Sequence, residues 1–335
     1  MSSGYDDGPL SLLQELAETP RLGEPNWFEK RREAYSEPAA PQQDATCVSL
    51  DLALLEEGPA KTLDGFVPPE AALLPVSPQA IGDPPPTPLR RFSGKKVTPA
   101  SQTFLTGPDN RTVYQDTAVP WVWVGQIRND MGGRASGCLM GKNFILTAAH
   151  AIDPYYAPGQ PMRPGIAFWP AMFDDQSALG PTWSANVINA AAWKVVGSST
   201  VVGYDMAICH LDRPLGEWLG YFGTQGYIDD WEDQARFTHA GYPYDLGNWT
   251  RPCYQNGISV SDDDNDKFGT LELETNADIA SGQSGGPLWG FFDGAHRRVI
   301  GTLSGHQNHF GEPENACFAG GNALVRLIDW GRANW

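Results

Sequence analysis

A serine between glycines is the residue of this chain best suited to nucleophilic chemistry. Ser284 lies in the segment Asp278-Ile279-Ala280-Ser281-Gly282-Gln283-Ser284-Gly285-Gly286-Pro287, where flanking glycines permit a tight turn. Such a turn would expose the hydroxyl and aim backbone N–H groups at a substrate. The pattern also satisfies the G-x-S-x-G motif of a nucleophile elbow, and a plain flexible turn has the same composition. The segment therefore predicts a nucleophile only if the chain also supplies a base and an acid to activate the serine.

A histidine and an aspartate elsewhere in the chain meet that requirement. His150 ends the segment Phe144-Ile145-Leu146-Thr147-Ala148-Ala149-His150, in which two small residues let the imidazole point into a cleft. Asp205 precedes a short apolar strand. Taken singly, the histidine fits a core position and the aspartate fits a turn. Because a serine needs an imidazole to accept its proton, and the imidazole needs a carboxylate to hold its tautomer, we predict that His150, Asp205 and Ser284 act together.

The chain order of these three residues discriminates between fold classes. An α/β-hydrolase has serine first, then the acid, then the histidine. Here the order is His150, Asp205, Ser284. The short stretch of chain after Ser284 also cannot hold the remaining strands and helices of such a sheet. The order favours the chymotrypsin-like arrangement.

The elements around these residues are short, β-rich and separated by Gly, Pro, Asn and Asp. This spacing predicts an antiparallel all-β sandwich or barrel. Helical periodicity is clear only near the C-terminus, where it predicts a short helix at Ala323–Trp330. The predicted strands are Trp121–Ile127, Gly137–Met140, Phe144–Leu146, Ala185–Ile188, Val195–Val196, Met206–Leu211, Gly269–Leu273 and Val299–Ser304.

The first hundred residues have a different composition. They hold 15 of the 28 prolines but only one of the 12 tryptophans. Three predicted helices, Leu10–Ala17, Trp27–Ala34 and Val48–Glu57, are near or below the length at which an isolated helix survives in water. We predict that residues 1–104 form a Pro-rich, acidic, largely disordered pro-region or linker, and that residues 1 to about 100 are dispensable for the mature fold. The alternative is a pro-region that folds against the following domain.

Two basic pairs, Arg90-Arg91 and Lys95-Lys96, lie in a Pro/Gly-rich stretch of that region. Such a stretch is open to proteases, so we predict removal of the region there. The protein would then be made as a zymogen.

Composition excludes several function classes. The net charge is −17, from 40 acidic and 23 basic residues, and this opposes binding to phosphates, so no nucleic-acid partner is expected. No run approaches the ~18–20 apolar residues of a membrane span, and no secretory signal is visible at the start of the chain. Five cysteines are too few for a disulfide scaffold. The acidic run Asp262–Asp266 departs from EF-hand spacing, so no metal site is predicted.

At these motifs the chain resembles chymotrypsin-fold, trypsin-like serine endopeptidases. The similarity lies in Thr147-Ala148-Ala149-His150, in Asp205-Met206-Ala207 and in Gly282–Pro287. Within that family the chain is most similar in motifs to the bacterial glutamyl endopeptidase branch. The segments that carry this finer resemblance are Asp109-Asn110-Arg111-Thr112-Val113, Thr117–Pro120, Ala135–Lys142 and Gly241–Pro243.

The resemblance covers about residues 105–335 and implies two antiparallel six-stranded barrels, at about 105–225 and 226–335. His150 and Asp205 would lie on the first barrel and Ser284 on the second, at the cleft between them. The resemblance further implies a secreted monomer that acts on polypeptides without a cofactor. Ser284 would be the nucleophile, His150 the base and then the acid, and Asp205 the residue that orients His150. The N–H groups of Gly282 and Ser284 would form the oxyanion hole.

Three positions depart from the family pattern. Ala151 replaces the cysteine that follows the catalytic histidine in animal enzymes, so Cys138 and Cys209 are predicted to be buried strand thiols. Gln283 stands where animal zymogens have an aspartate that pairs with a newly cut N-terminus. Activation by cleavage would therefore need another route. Leu303 stands where glutamyl endopeptidases have a histidine.

The candidate substrate-binding residues are Asp278, Ser304 and His306, and they point to opposite preferences. Asp278 lies six residues before Ser284, where trypsin-like enzymes have the aspartate of the pocket floor. That placement predicts a preference for Arg or Lys, since an unpaired buried carboxylate is costly. His306, two residues past Ser304 on the predicted pocket wall, could instead pair with a glutamate.

Two other functions share the predicted fold. A catalytically silent binding protein would typically lack one of the three residues, whereas this chain has His150, Asp205 and Ser284. An esterase would share them but would lack a peptide-binding cleft. A comparison of peptide and simple ester substrates separates the esterase from the predicted endopeptidase.

Overall fold

The computed structural model describes residues 46–57, 61–69, 103–193, 202–266, 270–309 and 312–335. Five features predicted from the sequence lie outside those residues. They are the helices at 10–17 and 27–34, both basic pairs, and the strand at 195–196.

Strands dominate the described residues. They are β1 (Val48–Leu50), β2 (Thr103–Phe104), β3 (Thr112–Val113), β4 (Val124–Asn129), β5 (Arg134–Gly141), β6 (Phe144–Thr147), β7 (Ile166–Pro170), β8 (Met172–Phe173), β9 (Gln176–Ser177), β10 (Ala185–Trp193), β11 (Ala207–Leu211), β12 (Gly223–Thr224), β13 (Phe237–Gly241), β14 (Cys253–Ile258), β15 (Val260–Asp266), β16 (Thr270–Thr275), β17 (Ile279–Ala280), β18 (Pro287–Phe292), β19 (His296–His309) and β20 (Glu312–Gly320).

Among the described residues, helices are few and short. The α-helices are α1 (Leu215–Leu219), α2 (Tyr244–Gly247) and α3 (Gly321–Asn334). The 3-10 helices are Leu52–Glu57, Trp121–Trp123, Ala149–Ala151, Val202–Tyr204 and Asp229–Trp231. The predicted C-terminal helix is therefore confirmed, and its buried face includes Leu324, Leu327 and Ile328. Within the described part of the chain, no helix is long and apolar enough to cross a bilayer.

The first half of the body is a closed barrel of six antiparallel strands. Its order is β10-β11-β6-β5-β4-β7, and β7 pairs back to β10 to close it. The strand side chains that fill it include Phe144, Leu146 and Phe168, each at most 1% exposed. Burying such side chains is the main contribution to the stability of a barrel of this size.

The second half is an open sheet with the order β15-β16-β20-β19-β18-β13-β14-β3, with β12 beside β19. The predicted all-β fold class is confirmed. However, this sheet is a half-barrel and not the second closed barrel that we expected. Among the described strands, its end members β15 and β3 have one neighbour each. The strand β3 has only two residues, which gives it little edge with which to close the sheet.

Two predicted elements adopt other conformations. Residues Trp121–Trp123 form a 3-10 helix because Val122 N–H and Trp123 N–H donate locally, to the carbonyls of Ala118 and Pro120. The predicted helix at Val48–Glu57 is a strand followed by a 3-10 helix. There β1 pairs in parallel with β10.

The segments at 46–57 and 61–69 pack on the body although they precede residue 104. Cys47, Leu50 and Leu55 are each at most 6% exposed and belong to the core of the first barrel. Leu63 and Phe66 make bridge pairings with the loop around β12. These contacts match the alternative of an N-terminal region that folds against the domain. All five cysteines are buried and free, including Cys138 and Cys209 as predicted.

Candidate active site

The ends of two adjacent strands bring His150 and Asp205 together. The strands β6 and β11 are antiparallel, with Thr147 opposite Ala207, so the residues that follow β6 lie beside those that precede β11. His150 lies in the 3-10 helix just after β6. Its Nδ1 atom is 2.6 Å from Asp205 Oδ2, and its backbone N–H donates to Asp205 Oδ1 at 2.9 Å.

This pairing determines the tautomer of His150. An ionised carboxylate only accepts hydrogen bonds, so the contact with Asp205 assigns the imidazole proton to Nδ1. The Nε2 atom is then an acceptor, as a general base requires.

The pKa values of the pair shift in opposite directions. Burial lowers the pKa of His150, but the hydrogen bond and negative charge of Asp205, with a further contribution from Asp153, outweigh it, so the pKa lies above its ordinary value. Burial raises the pKa of Asp205, but the bonds from His150 and Ser304 outweigh it, so that pKa lies below its ordinary value. The carboxylate is therefore charged at neutral pH and favours the imidazolium form of His150.

Ser304, predicted to bind substrate, also contacts the aspartate. Its Oγ donates to Asp205 Oδ2 at 2.6 Å, and the residue lines the same cavity as His150. The structure thus gives Ser304 a partner that sequence spacing did not suggest, because the two residues are 99 positions apart.

Glycines are required in the turn that carries Ser284. Gly282 and Gly285 have φ angles of +97° and +82°, in the region that favours glycine. A Cβ at Gly285 would come within 2.2 Å of Thr147 Oγ1, where β6 ends. The turn therefore packs directly against the strand that leads to His150.

One serine of the first barrel anchors this turn. The backbone N–H of Ser136, on β5, donates to the carbonyl of Ser284 at 2.8 Å. Its Oγ donates to the carbonyl of Gly282 at the same distance. Both carbonyls of the turn are thus held by the opposite sheet.

The backbone N–H groups of the turn fall into two sets. Those of Gln283, Gly285 and Gly286 donate to the carbonyls of Ala280, Leu303 and Gln283, respectively. Within the residues that the structure describes, the N–H groups of Gly282 and Ser284 donate to no protein acceptor. Two uncommitted donors on either side of one residue are what an oxyanion hole needs.

Ser284 and His150 line one cavity of about 380 Å³. Its wall consists of Phe104, His150, Ile279, Ala280, Ser281, Ser284, Leu303, Ser304, Gly305 and His306. Among the described residues, no hydrogen bond joins Ser284 Oγ to the imidazole. In unliganded enzymes such bonds are often long and tighten only with substrate bound.

The structure does not bring Asp278 into this cavity. The residue is fully buried, and its Oδ1 accepts from the Thr106 N–H at 2.9 Å while its Oδ2 accepts from the Asn110 N–H at 2.8 Å. Both carboxylate oxygens are therefore engaged by backbone. Asp278 holds the segment that precedes β3. The carboxylate that was predicted to bind Arg or Lys is therefore absent from the cavity wall.

His306 does line the cavity, and an unpredicted residue packs on it. The ring of Phe104 is stacked on the imidazole of His306, with centroids 5.8 Å apart and planes 8° apart. Phe104 reaches this position because β2 pairs with β17, which places Phe104 opposite Ile279. No local pattern around Phe104 signals this role. Among the described residues, no cluster of three or more His, Cys, Asp or Glu side chains is arranged to hold a metal ion.

Comparisons with known proteins agree with this architecture. The chain is 26% identical to the glutamyl endopeptidase of Bacillus licheniformis over 200 residues, which is 58% of this chain and 58% of that protein. The chain thus matches less than two thirds of the length of that relative.

Solved structures show the same fold. A structure of Glu endopeptidase in complex with MPD aligns with a TM-score of 0.54 at 20% identity, over 69% of this chain and all of that chain. Human heparin binding protein aligns with a TM-score of 0.50 at 16% identity, over 68% of this chain and 97% of that chain. A model of the family described as Trypsin matches residues 109–319. Since that match spans more than half of the sequence and includes His150, Asp205 and Ser284, the chain belongs to the trypsin family.

Proposed function

We propose that this protein is a serine endopeptidase that cleaves peptide bonds of polypeptides through an acyl-enzyme. One observation carries the proposal. The His150 ring is held at Nδ1 by Asp205, which makes Nε2 an acceptor, and it lines the same cavity as the Ser284 hydroxyl. This combination supplies a nucleophile, a base and a group that orients the base.

In the proposed reaction Ser284 Oγ attacks the carbonyl carbon of the scissile bond while His150 Nε2 accepts the hydroxyl proton. The resulting imidazolium is stabilised by Asp205, which stays ionised because its pKa is lowered. His150 then gives the proton to the leaving amine, and the C–N bond breaks to form an ester at Ser284. Water attacks this ester with His150 again as the base, which releases the new carboxyl terminus and restores the hydroxyl.

The N–H groups of Gly282 and Ser284 would bind the oxyanion of each tetrahedral intermediate. Their lack of protein acceptors among the described residues supports this role. Loss of one such donor costs about 3–4 kcal/mol of transition-state stabilisation in a serine protease.

We infer that the pocket beside Ser284 accepts an acidic side chain. No carboxylate belongs to the described cavity wall, because Asp278 is engaged by Thr106 and Asn110. His306 is the wall residue, apart from His150, that can carry a positive charge. The similarity to a protein named glutamyl endopeptidase supports the same preference.

The central test is labelling by a fluorophosphonate, which reacts with an activated serine. We expect wild type to be labelled and to cleave peptides, and Ser284→Ala to lose both activities while its thermal unfolding is unchanged. Ser281→Ala is the matched control, since it removes the other hydroxyl of the same turn that lines the cavity. We expect this variant still to be labelled.

Labelling of Ser284→Ala at the wild-type rate would refute the role of Ser284. An unlabelled wild type would instead favour a silent binding protein. Cleavage of simple esters without cleavage of any member of a peptide library would identify an esterase.

A further inference from the structure

A buried guanidinium reaches the turn that carries Ser284. The side chain of Arg111 is 1% exposed and lies just before β3. Its Nη1 donates to Gln283 Oε1 at 2.9 Å, its Nη2 to Asp245 Oδ2 at 2.6 Å, and its Nε to Asp109 Oδ1 at 3.1 Å. The two carboxylates more than neutralise the buried positive charge, and Gln283 is a neutral acceptor held by this paired cation.

The same oxygen of Gln283 also closes the turn. Gln283 Oε1 accepts from the backbone N–H of Ala280 at 2.9 Å, and the backbone N–H of Gln283 donates to the Ala280 carbonyl at 3.1 Å. Arg111 therefore fixes one atom that links the start of the turn to the residue before Ser284. A shift of that atom would displace Gly282, which lies between them.

The residues around Arg111 hold the same loop at further points. Thr103 and Phe104 pair with Ala280 and Ile279, and the buried Asp278 is bonded by the segment that leads to Arg111. All of these contacts come from within the chain and use no free terminus. A cut N-terminus is therefore not needed to occupy the position beside Gln283.

We propose that Arg111 is a positioning residue, acting through Gln283 to hold the N–H groups of Gly282 and Ser284 in their catalytic arrangement in the uncut chain. This rests on the proposed function and extends it, since it assigns the assembly of the oxyanion hole to an internal side chain. Cleavage ahead of Thr103 would then not be what switches the site on.

The test removes the acceptor and not the cation, because loss of Arg111 would leave Asp109 and Asp245 facing each other without a counter-charge. In Gln283→Leu both ion pairs remain. We expect kcat to fall about 100-fold, as for a small misplacement of catalytic groups, with KM within about threefold. Gln283→Glu keeps an acceptor for both donors, and we expect it to retain kcat within about fivefold of wild type.

The chain offers a matched control in Gln225. Its Oε1 accepts from the buried Arg298 at 2.8 Å, but neither residue lines the cavity. We expect Gln225→Leu to leave both kcat and KM unchanged. A purely structural effect of losing an arginine–glutamine bond would move the two variants alike, which would overturn the proposal.

Fluorophosphonate labelling followed by intact-protein mass spectrometry tests the uncut chain directly. We expect the label on molecules of full-length mass. Label found only on shortened molecules, or a wild-type kcat in Gln283→Leu, would overturn the role of Arg111. A wild type that is not labelled in any form would refute the proposed function itself, so the two failures are distinguishable.

Discussion

Two buried arginines, Arg111 and Arg298, have the same kinds of partner in different parts of the molecule. Each donates to one glutamine carbonyl and to two aspartates. The partners of Arg298 are Gln225 Oε1, Asp293 Oδ2 and Asp64 Oδ1, all at 2.8 Å. The same kinds of partner thus surround an arginine at two different places in the fold.

The difference lies in the exposure of the carboxylates. The side chains of Asp64 and Asp293 are 63% and 72% exposed, whereas those of Asp109 and Asp245 are 17% and 14% exposed. Water and salt screen the first pair of charges, so those contacts contribute little. The second group is shielded and holds its partners in one geometry. An arginine cluster therefore positions a loop only where its counter-charges are also protected.

The two N-terminal attachments differ in what they contact. The segments at 46–57 and 61–69 combine strand and bridge pairing with apolar burial, with Leu50 and Leu55 in the barrel core, and they lie outside the cavity wall. Residues 103–111 are held by strand pairing and polar contacts, and Phe104 lines the cavity. We infer that the first attachment contributes to stability and the second to catalysis.

The largest expected effect is on catalysis, at Asp205. In Asp205→Asn the imidazole loses the partner that holds its tautomer, so we expect kcat to fall about 10⁴-fold. The variant also changes the pH profile. In the proposed mechanism activity needs neutral His150 and falls as the pH drops through its raised pKa, and removal of the Asp205 charge lowers that pKa. We expect the acidic midpoint of kcat/KM to move to lower pH.

Asp153→Asn is the control for that profile. The charge of Asp153 raises the pKa of His150 without a hydrogen bond to the ring. We expect a smaller shift in the same direction, with kcat within a few-fold of wild type. An unmoved midpoint in Asp205→Asn would contradict the assigned cause.

An intermediate effect, on stability, is expected for the attachment at residues 46–57. Leu50→Ala deletes a side chain that is 4% exposed, on the strand that pairs with β10. We expect the free energy of unfolding to fall by about 2–5 kcal/mol, measured by urea denaturation. We also expect kcat per folded molecule to stay at the wild-type value.

Leu52→Ala, at a partly buried site on the same segment, should cost less stability. If Leu50→Ala leaves the free energy of unfolding unchanged, the segment is dispensable, as the sequence predicted for residues 1 to about 100.

The smallest effect is expected on substrate specificity. His306→Gln removes the imidazole that we assign to recognition of an acidic side chain. A charge-assisted hydrogen bond is worth about 1.5–3 kcal/mol, so kcat/KM should fall at least tenfold on peptides with Glu before the cut. Matched peptides with Gln there should be affected much less. Phe104→Leu should lower kcat/KM on the Glu peptides about threefold, since stacked rings contribute about 0.5–1.5 kcal/mol.

His296→Gln is the control, because His296 lies at the other end of β19 and outside the cavity wall. We expect this variant to leave kcat/KM on the Glu peptides unchanged. Efficient cleavage after Arg by wild type, with the Glu peptide uncut, would overturn the acidic preference.

Local patterns in the sequence determined the fold class and the central candidates. Short β-rich runs between turn residues indicate an all-β fold whatever their partners are, and the motifs around His150, Asp205 and Ser284 are each contained in a few consecutive residues. The sequence alone thus predicted the strand end that carries His150 and the glycine turn that carries Ser284. It also showed that Gln283 cannot form the ion pair of animal zymogens.

Tertiary structure alone decided which residues meet across the chain. Asp278 had the spacing of a pocket-floor residue, but Thr106, 172 positions away, engages its carboxylate. Arg111 reaches Gln283 over the same separation, and Ser304 reaches Asp205 over 99 positions. Such contacts depend on strand pairing and register, which one-dimensional patterns do not specify. For the same reason the sequence did not show that the second sheet stays open or that β1 docks on β10.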